Sequence, residues 1–234
     1  MKKRIIFRKM LPIYLFIMVG VIFTAYLGSQ AVTTMVESSP IEGRRIIVID
    51  AGHGGIDGGA TSCTGALESG INLEIALRLN DLIRFMGYET AMVRTTDTSI
   101  HIQGDTIASQ KVSDLKQRVN LVNSIDNCFL ISIHQNIYPD GRYSGAQVFY
   151  AKGDESKSFA DRLQGSFRDV LNPGSKRQSK PSSGIYLMQN IQRPGVLIEC
   201  GFLSNQSEER NLREAEYQRK ICCLITSAIS LAFS

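Results

Sequence analysis

Apolar and polar residues occur in blocks along the chain, and each block predicts one structural element. The first block, Leu11–Leu27, is uncharged and almost wholly apolar, and basic residues precede it. Its length is close to the ~20 residues that span a bilayer, and the basic residues orient its start toward the cytoplasm. The sequence therefore predicts a hydrophobic N-terminal helix over residues 1–32, a linker over residues 33–44 and an exported domain over residues 45–234.

The N-terminal helix has two interpretations. Its length favours an uncleaved membrane anchor, because the core of a signal peptide usually has ~7–15 residues. However, Ser29-Gln30-Ala31 resembles a small-x-small cleavage site, so a cleaved signal peptide is the alternative. Both interpretations predict that the following domain acts outside the cytoplasm.

From residue 45 onward, short β-branched runs alternate with amphipathic stretches. Strands are predicted at Arg45–Asp50, Tyr88–Arg94, Asn127–Ile133, Gly145–Tyr150, Gly184–Met188 and Gly195–Glu199. Helices are predicted at Ile71–Met86, Val112–Ser124, Ser156–Leu171 and within Ser207–Ala232, with loops at Thr95–Gln110 and Asn172–Ser183. This alternation predicts a single α/β domain with a mixed, mostly parallel sheet that helices cover on both faces.

Charge and cysteine content narrow the possible functions. The net charge of +4 comes from five basic residues among the first ten, so the remainder is nearly neutral and nucleic-acid binding is not expected. The cysteines form no CxxC pair, which excludes a cysteine-rich metal knuckle, and most are predicted to be small buried apolar residues. They are Cys63, Cys128, Cys200, Cys222 and Cys223.

Two of the three histidines follow predicted strands: His53 in AGHGGIDGGA and His134 in ISIHQN. Glu68 lies between the glycine-rich loop and the first helix. Two imidazoles and one carboxylate form the ligand set of many catalytic zinc sites, which leave the fourth position open for water. The sequence therefore predicts one zinc ion per chain, bound by His53, Glu68 and His134. His101, in a polar loop, is expected to be incidental.

Glu199 is the candidate general base. It ends the apolar run GVLIE, where a carboxylate must be functional, paired or solvated because burying a lone charge is costly. As a base it would take a proton from the attacking water and return it to the departing amine. A structural ion pair is the alternative interpretation.

Seven motifs occur in order from about residue 45 to the C-terminus: IDAGHGGIDGGA, LESGINLEIALRL, VRTTDT, DLKQRVNLVN, SIHQN, SGAQVFY and IECGFLSN. Together they resemble the zinc-dependent N-acetylmuramoyl-L-alanine amidases of the Amidase_3 family. The resemblance implies that His53, Glu68 and His134 bind zinc and that Glu199 is catalytic. It also implies hydrolysis of the bond between N-acetylmuramic acid and L-alanine in bacterial peptidoglycan.

Within that family, the short layout, the N-terminal hydrophobic segment and GIYLMQN at residues 184–190 most resemble the sporulation amidases. Those remove stem peptides so that a second enzyme can form muramic-δ-lactam in the spore cortex, which germination enzymes recognise. Gln135 and Cys63 are two local features in which this chain calls for comparison with the family pattern, and neither removes a predicted zinc ligand. Because these residues contain no wall-binding repeats, we expect targeting through the membrane segment or through an activating or recruiting protein partner.

The sequence argues against three alternatives to the amidase. The glycine-rich loop matches neither GxGxxG nor GxxxxGK[ST], so nucleotide binding is not expected. A cysteine hydrolase would use Cys200 or Cys63 with a histidine, yet no histidine follows His134. A catalytically inactive peptidoglycan-binding or scaffold protein with the same fold would usually have lost one of the four candidate residues, and all four are present.

Overall fold

The computed structural model describes residues 45–233 and, outside this range, only Met18. The predicted N-terminal helix at residues 1–32 and the linker at residues 33–44 therefore lie outside the described residues. Within the described part, the helices are all too short or too polar to cross a bilayer. The membrane segment stays a prediction from the sequence.

Strands and helices alternate through residues 45–233. The strands are β1 (Ile46–Ala51), β2 (Thr90–Met92), β3 (Cys128–Asn136), β4 (Gln147–Tyr150), β5 (Lys180–Pro181) and β6 (Gly195–Phe202). The helices are α1 (Glu68–Phe85), α2 (Ile107–Ser124), α3 (Asp154–Val170), α4 (Tyr186–Asn190), α5 (Gln206–Arg213) and α6 (Ala215–Phe233). This order confirms the predicted α/β class.

The strands form one sheet in the order β2-β1-β3-β6-β4-β5. Strands β2, β1, β3 and β6 run parallel to one another, whereas β4 pairs antiparallel with β6 and parallel with β5. The sheet is therefore mixed and mostly parallel, as predicted. Because its four parallel strands end at the same edge, residues at their carboxyl ends are brought together there.

Helices cover both faces of the sheet because successive side chains of a buried strand point in opposite directions. In β1, Ile47 and Ile49 contribute to a core with α1, α3 and α6, whereas Val48 faces a second core with α2 and α4. Full burial of such a side chain stabilises the fold by about 1.5–3 kcal/mol. The apolar run of β1 is thus explained by burial on both faces.

The predicted strand at Gly184–Met188 is wrong. The chain turns at Gly184, whose φ is 83°, and helix α4 follows. Leu187 and Met188 are buried in the core on the α2 side of the sheet. A short apolar run fits a strand or a helical turn equally well, and packing against that core decided between them.

Several element boundaries also differ from the prediction. Helix α1 begins at Glu68 rather than Ile71, and α2 begins at Ile107, inside the predicted loop, where Thr106 and Ser109 form a capping box. Strand β5 lies within the predicted loop Asn172–Ser183. The capping box accounts for the start of α2 and pairing with β4 accounts for β5, whereas α1 begins after Leu67 without a side-chain cap.

Candidate metal centre and active site

The three predicted metal ligands come from separate elements at the carboxyl edge of the sheet. His53 follows β1, Glu68 is the first residue of α1, and His134 lies near the end of β3. One donor atom from each side chain lies within 4.8 Å of the other two. The structure thus brings together three residues that are distant in sequence.

The Glu68 carboxylate lies between the two imidazoles. Its Oε2 is 3.3 Å from His53 Nε2, and its Oε1 is 3.1 Å from His134 Nδ1. The two rings meet edge to face, with centroids 5.0 Å apart and planes inclined at 74°. Two imidazole nitrogens and a carboxylate at this spacing could hold a metal ion between them.

Glu68 is fixed by hydrogen bonds from the surrounding chain. Its Oε2 accepts from the backbone N–H of Ala60 at 2.9 Å, and its Oε1 accepts from the N–H of Gln135 at 3.0 Å and from Asn72 Nδ2 at 3.2 Å. Burial opposes its ionisation, but His134 and His53 outweigh burial, so the pKa of Glu68 lies far below its ordinary value. The carboxylate is therefore ionised and held in one orientation.

His53 has a left-handed backbone conformation, with φ of 62°. Its Nδ1 lies 2.8 Å from Asp57 Oδ2, and its Nε2 points toward Glu68. Burial lowers the pKa of His53, but the hydrogen bonds and charges of Glu68 and Asp57 outweigh burial and raise that pKa to about 9. Metal binding to Nε2 would therefore displace a proton at neutral pH.

Two arginines that the sequence analysis missed hold the loop that carries His53. Arg94 donates from Nε to Ala51 O at 2.8 Å and from Nη2 to Gly52 O at 3.0 Å, while Arg118 donates from Nη2 to His53 O at 2.7 Å. Both arginines are almost fully buried. The sequence held a signal only for Arg94, which is a single charge at the end of an apolar run, where a buried arginine needs partners. Arg118 gave no such signal, because other charged residues surround it on its helix.

Glu199 lies directly opposite His134 in the pairing of β6 with β3, so their side chains leave the same face of the sheet. The two residues therefore lie on neighbouring strands, β6 and β3. Glu199 Oε2 is buried and accepts no hydrogen bond within the described part of the chain. Burial raises the pKa of Glu199 to about 7. A carboxylate with this pKa can accept and return a proton near neutral pH.

A cavity of about 300 Å³ opens beside the cluster. His53, His134, Asp57 and Lys111 line one part of it, and the α4 segment lines another through Gly184–Leu187. The GIYLMQN motif therefore forms a wall of the space in which a substrate would meet the cluster. This position explains the motif better than the strand that was predicted for it.

Among the described residues, no cysteine belongs to the cluster of His53, Glu68 and His134. All five cysteines are free, and Cys128, Cys200 and Cys222 are buried, as predicted for most of them. Burial raises the pKa of Cys200 well above its ordinary value, which opposes a role as a thiolate nucleophile. His101 contacts Ser99 through Nδ1 at 2.8 Å and is not part of the cluster.

The fold and this cluster are those of a hydrolase with a mixed α/β domain and with two histidines and a glutamate at the carboxyl edge of its sheet. The family model described as N-acetylmuramoyl-L-alanine amidase matches residues 47–230. The chain therefore belongs to this family of cell-wall amidases, which hydrolyse peptidoglycan. The family, fold and enzyme class predicted from the sequence are confirmed.

Individual relatives agree with the family. The germination-specific N-acetylmuramoyl-L-alanine amidase of Bacillus subtilis is 41% identical over 199 residues, which cover 84% of this chain and 83% of that protein. The structure is similar to that of the CwlD amidase from Clostridioides difficile in complex with the GerS lipoprotein, with 35% identity, a TM-score of 0.77 and coverage of 80% and 98%. An N-acetylmuramoyl-L-alanine amidase from Clostridium difficile 630 is 27% identical, with a TM-score of 0.70 and coverage of 80% and 96%.

Proposed function

We propose that this amidase is zinc-dependent and cleaves the bond between N-acetylmuramic acid and L-alanine. In this proposal His53, Glu68 and His134 bind one zinc ion, and Glu199 is the general base. The observation that carries the proposal is the meeting of three donor atoms within 4.8 Å beside a glutamate whose buried Oε2 has no partner among the described residues.

The donor set suits zinc. Zinc prefers nitrogen and carboxylate ligands, and its catalytic sites commonly have three protein ligands with the fourth position open. Bound there, zinc would lower the pKa of a water molecule toward ~7 and polarise the scissile carbonyl. The chain supplies a carboxylate that is already ionised and two imidazoles that already face it.

The chain's own residues account for the proton transfers. Glu199 takes the proton of the water that attacks the lactyl carbonyl of muramic acid. It then returns that proton to the L-alanine nitrogen, which leaves as a neutral amine. Burial raises the pKa of Glu199 to about 7, and zinc would bring the pKa of its water toward ~7 as well, so the first transfer would occur between groups of similar acidity. Gly184–Leu187 line the cavity beside the cluster and would cover one side of a substrate bound there.

Two substitutions test the roles separately. We expect Glu199→Gln to keep its zinc and lose turnover by about 10²–10⁴-fold, because proton transfer is removed while the ligands stay. We expect His134→Ala to lose both zinc and turnover. Zinc content by atomic emission and release of stem peptide from purified peptidoglycan, followed by mass spectrometry, measure the two effects.

A matched control is Glu216→Gln, which neutralises an exposed carboxylate at the start of α6 that pairs with Lys220. This variant should behave like the unmodified enzyme. Release of stem peptide by Glu199→Gln near the normal rate would show that Glu199 is not the base. Full zinc content in His134→Ala would remove this histidine from the ligand set.

We further propose that the enzyme acts in the spore cortex, where it prepares peptidoglycan for muramic-δ-lactam formation. Support comes from the 41% identity to the germination-specific amidase of Bacillus subtilis. We expect spores that lack the gene to have cortex without muramic-δ-lactam and to germinate poorly. Normal cortex muropeptides in such spores, measured by chromatography, would contradict this role.

We also propose that the N-terminal hydrophobic segment places the enzyme on the extracytoplasmic side of a bacterial membrane, as an anchor or as a cleaved signal. The Clostridioides difficile amidase forms a complex with a lipoprotein, which supports a protein partner for this chain as well. Protease treatment of intact protoplasts should digest residues 45–234. Protection of the domain until the cells are lysed would contradict export.

A further inference from the structure

The two oxygens of the Asp57 carboxylate have different partners. Its Oδ2 lies 2.8 Å from His53 Nδ1, while its Oδ1 lies 2.7 Å from Lys111 Nζ and accepts from the backbone N–H of Gly59 at 3.3 Å. Two donors thus occupy one oxygen and leave the other to the imidazole. This arrangement prevents the carboxylate from rotating away from His53.

The position of Asp57 determines which nitrogen of His53 can bind a metal. An ionised carboxylate only accepts hydrogen bonds, so His53 must carry a proton on Nδ1. The lone pair of the neutral ring is then on Nε2, the atom that faces Glu68 at 3.3 Å. The backbone carbonyl of His53 is also held, by Arg118 at 2.7 Å. The ring and the backbone of His53 are therefore each held by a separate partner.

Lys111 connects this arrangement to helix α2. Lys111, Asp114 and Arg118 are separated by three and four residues, so they share one face of the helix. Lys111 binds Asp57, and Arg118 binds the His53 carbonyl and Asp50. The same helix face therefore touches the His53 loop at both its side-chain and its backbone groups.

We propose that Asp57 is a positioning residue for His53 and that Lys111, through its ion pair, holds Asp57 in place. Through Lys111, helix α2 would contribute to the metal affinity of the site. This inference rests on the proposed function, because it assumes that His53 is a ligand. It adds two residues, Asp57 and Lys111, that touch no bound metal themselves. Carboxylates behind histidine ligands commonly contribute 10–100-fold to metal affinity.

Zinc affinity of the purified full-length chain, measured by competition with a chromogenic chelator, tests the proposal. We expect Asp57→Asn to weaken zinc binding by about 10–100-fold. Lys111→Met should weaken it about tenfold, whereas Lys111→Arg should retain it. The direction of the change in zinc affinity of Lys111→Met is decisive. Removing a positive charge near a cation strengthens binding by electrostatics alone, so only a positioning role predicts weaker binding.

A matched control is Asp97→Asn. Asp97 accepts from the backbone N–H of Gly55, which belongs to the same loop as His53, at 3.1 Å, but Asp97 does not contact His53. This variant should leave zinc affinity unchanged, and an equal loss in Asp97→Asn and Asp57→Asn would overturn the positioning role. Unchanged or stronger zinc binding in Lys111→Met would also overturn the positioning role. If the KM of that variant rose at the same time, Lys111 would be assigned to substrate binding.

His53→Ala separates this inference from the proposed function. Loss of zinc in His53→Ala together with normal binding in Asp57→Asn would overturn the positioning role alone. Normal zinc binding in His53→Ala would overturn the ligand assignment and the positioning role together. The expected result is loss in His53→Ala, partial loss in Asp57→Asn and Lys111→Met, and none in Asp97→Asn.

Discussion

At the scale of single residues, two glycines determine how closely the candidate ligands approach one another. A Cβ atom on Gly52 would lie 2.2 Å from His134 Nε2, and one on Gly59 would lie 2.6 Å from Glu68 Oε2. Gly59 also has a φ of 68°, which side chains rarely adopt. The imidazole and the carboxylate therefore occupy space that any other residue would fill.

We expect Gly52→Ala to displace the His134 ring and reduce turnover by about 100-fold, because small misplacements of catalytic groups have effects of that size. Zinc content should fall with it. Peptide release and zinc content are the measurements. Gly70→Ala is the control, since a Cβ on Gly70 meets nothing within 4 Å. Normal turnover in Gly52→Ala would show that His134 is not confined there.

At the scale of elements, helix α2 and strand β1 are joined by a buried ion pair. Arg118 binds the Asp50 carboxylate and also donates from Nε to Asp114 Oδ2 at 2.6 Å. Ser132 donates to Asp50 Oδ2 at 2.7 Å. Burial opposes ionisation of Asp50, but Arg118 outweighs it, so the pKa of Asp50 lies below its ordinary value of 3.8.

This shift predicts a pH-dependent contribution to stability. A lowered pKa stabilises the fold above the unfolded value of 3.8, and the contribution is lost as pH falls through the lower native value. Asp50→Asn should therefore reduce the free energy of unfolding by about 3 kcal/mol at pH 7. The difference from the unmodified chain should narrow below pH ~4.

Urea unfolding at several pH values measures this effect. Asp126→Asn is a suitable comparison, because the Arg193–Asp126 pair has an almost fully exposed carboxylate and such pairs contribute ~0–1 kcal/mol. A difference for Asp50→Asn that stays constant from pH 7 to pH 3 would exclude the linkage.

At the scale of the whole molecule, the candidate site lies at the edge of a sheet whose two apolar cores include none of the three candidate ligands. The larger core includes β1, β3, β4 and β6 with α1, α3 and α6, and its members are buried throughout. Small zinc domains differ, because metal binding supplies their folding energy. Here the fold positions the ligands, so folding should not depend on zinc.

We therefore expect chelation to abolish peptide release while leaving the circular dichroism spectrum unchanged. Free zinc at 100–1,000 times its dissociation constant would stabilise the fold by about 2.7–4.1 kcal/mol, so chelation should lower the melting temperature without unfolding the chain. Calorimetry with and without chelator measures this shift. An unfolded chain at 25 °C after chelation would contradict the expectation.

The sequence predicted the parts of this protein that depend on local pattern. Apolar runs such as β1 predicted buried strands, and the three candidate ligands could be chosen because histidine and glutamate are unusual beside such runs. The strand predicted at Gly184–Met188 was wrong, since five residues fit a strand or a helical turn and only the neighbouring core distinguishes the two.

By itself, the sequence determined the class of fold and the chemical identity of the candidate site, because hydrophobic periodicity and residue type are local properties of the chain. Only the tertiary structure decided which groups hold those ligands. Arg118 and Lys111 lie on a helix that packing places against the His53 loop, where Arg118 binds the His53 carbonyl and Lys111 binds Asp57. Contacts between residues so far apart in sequence arise from the closed core, which no local pattern specifies.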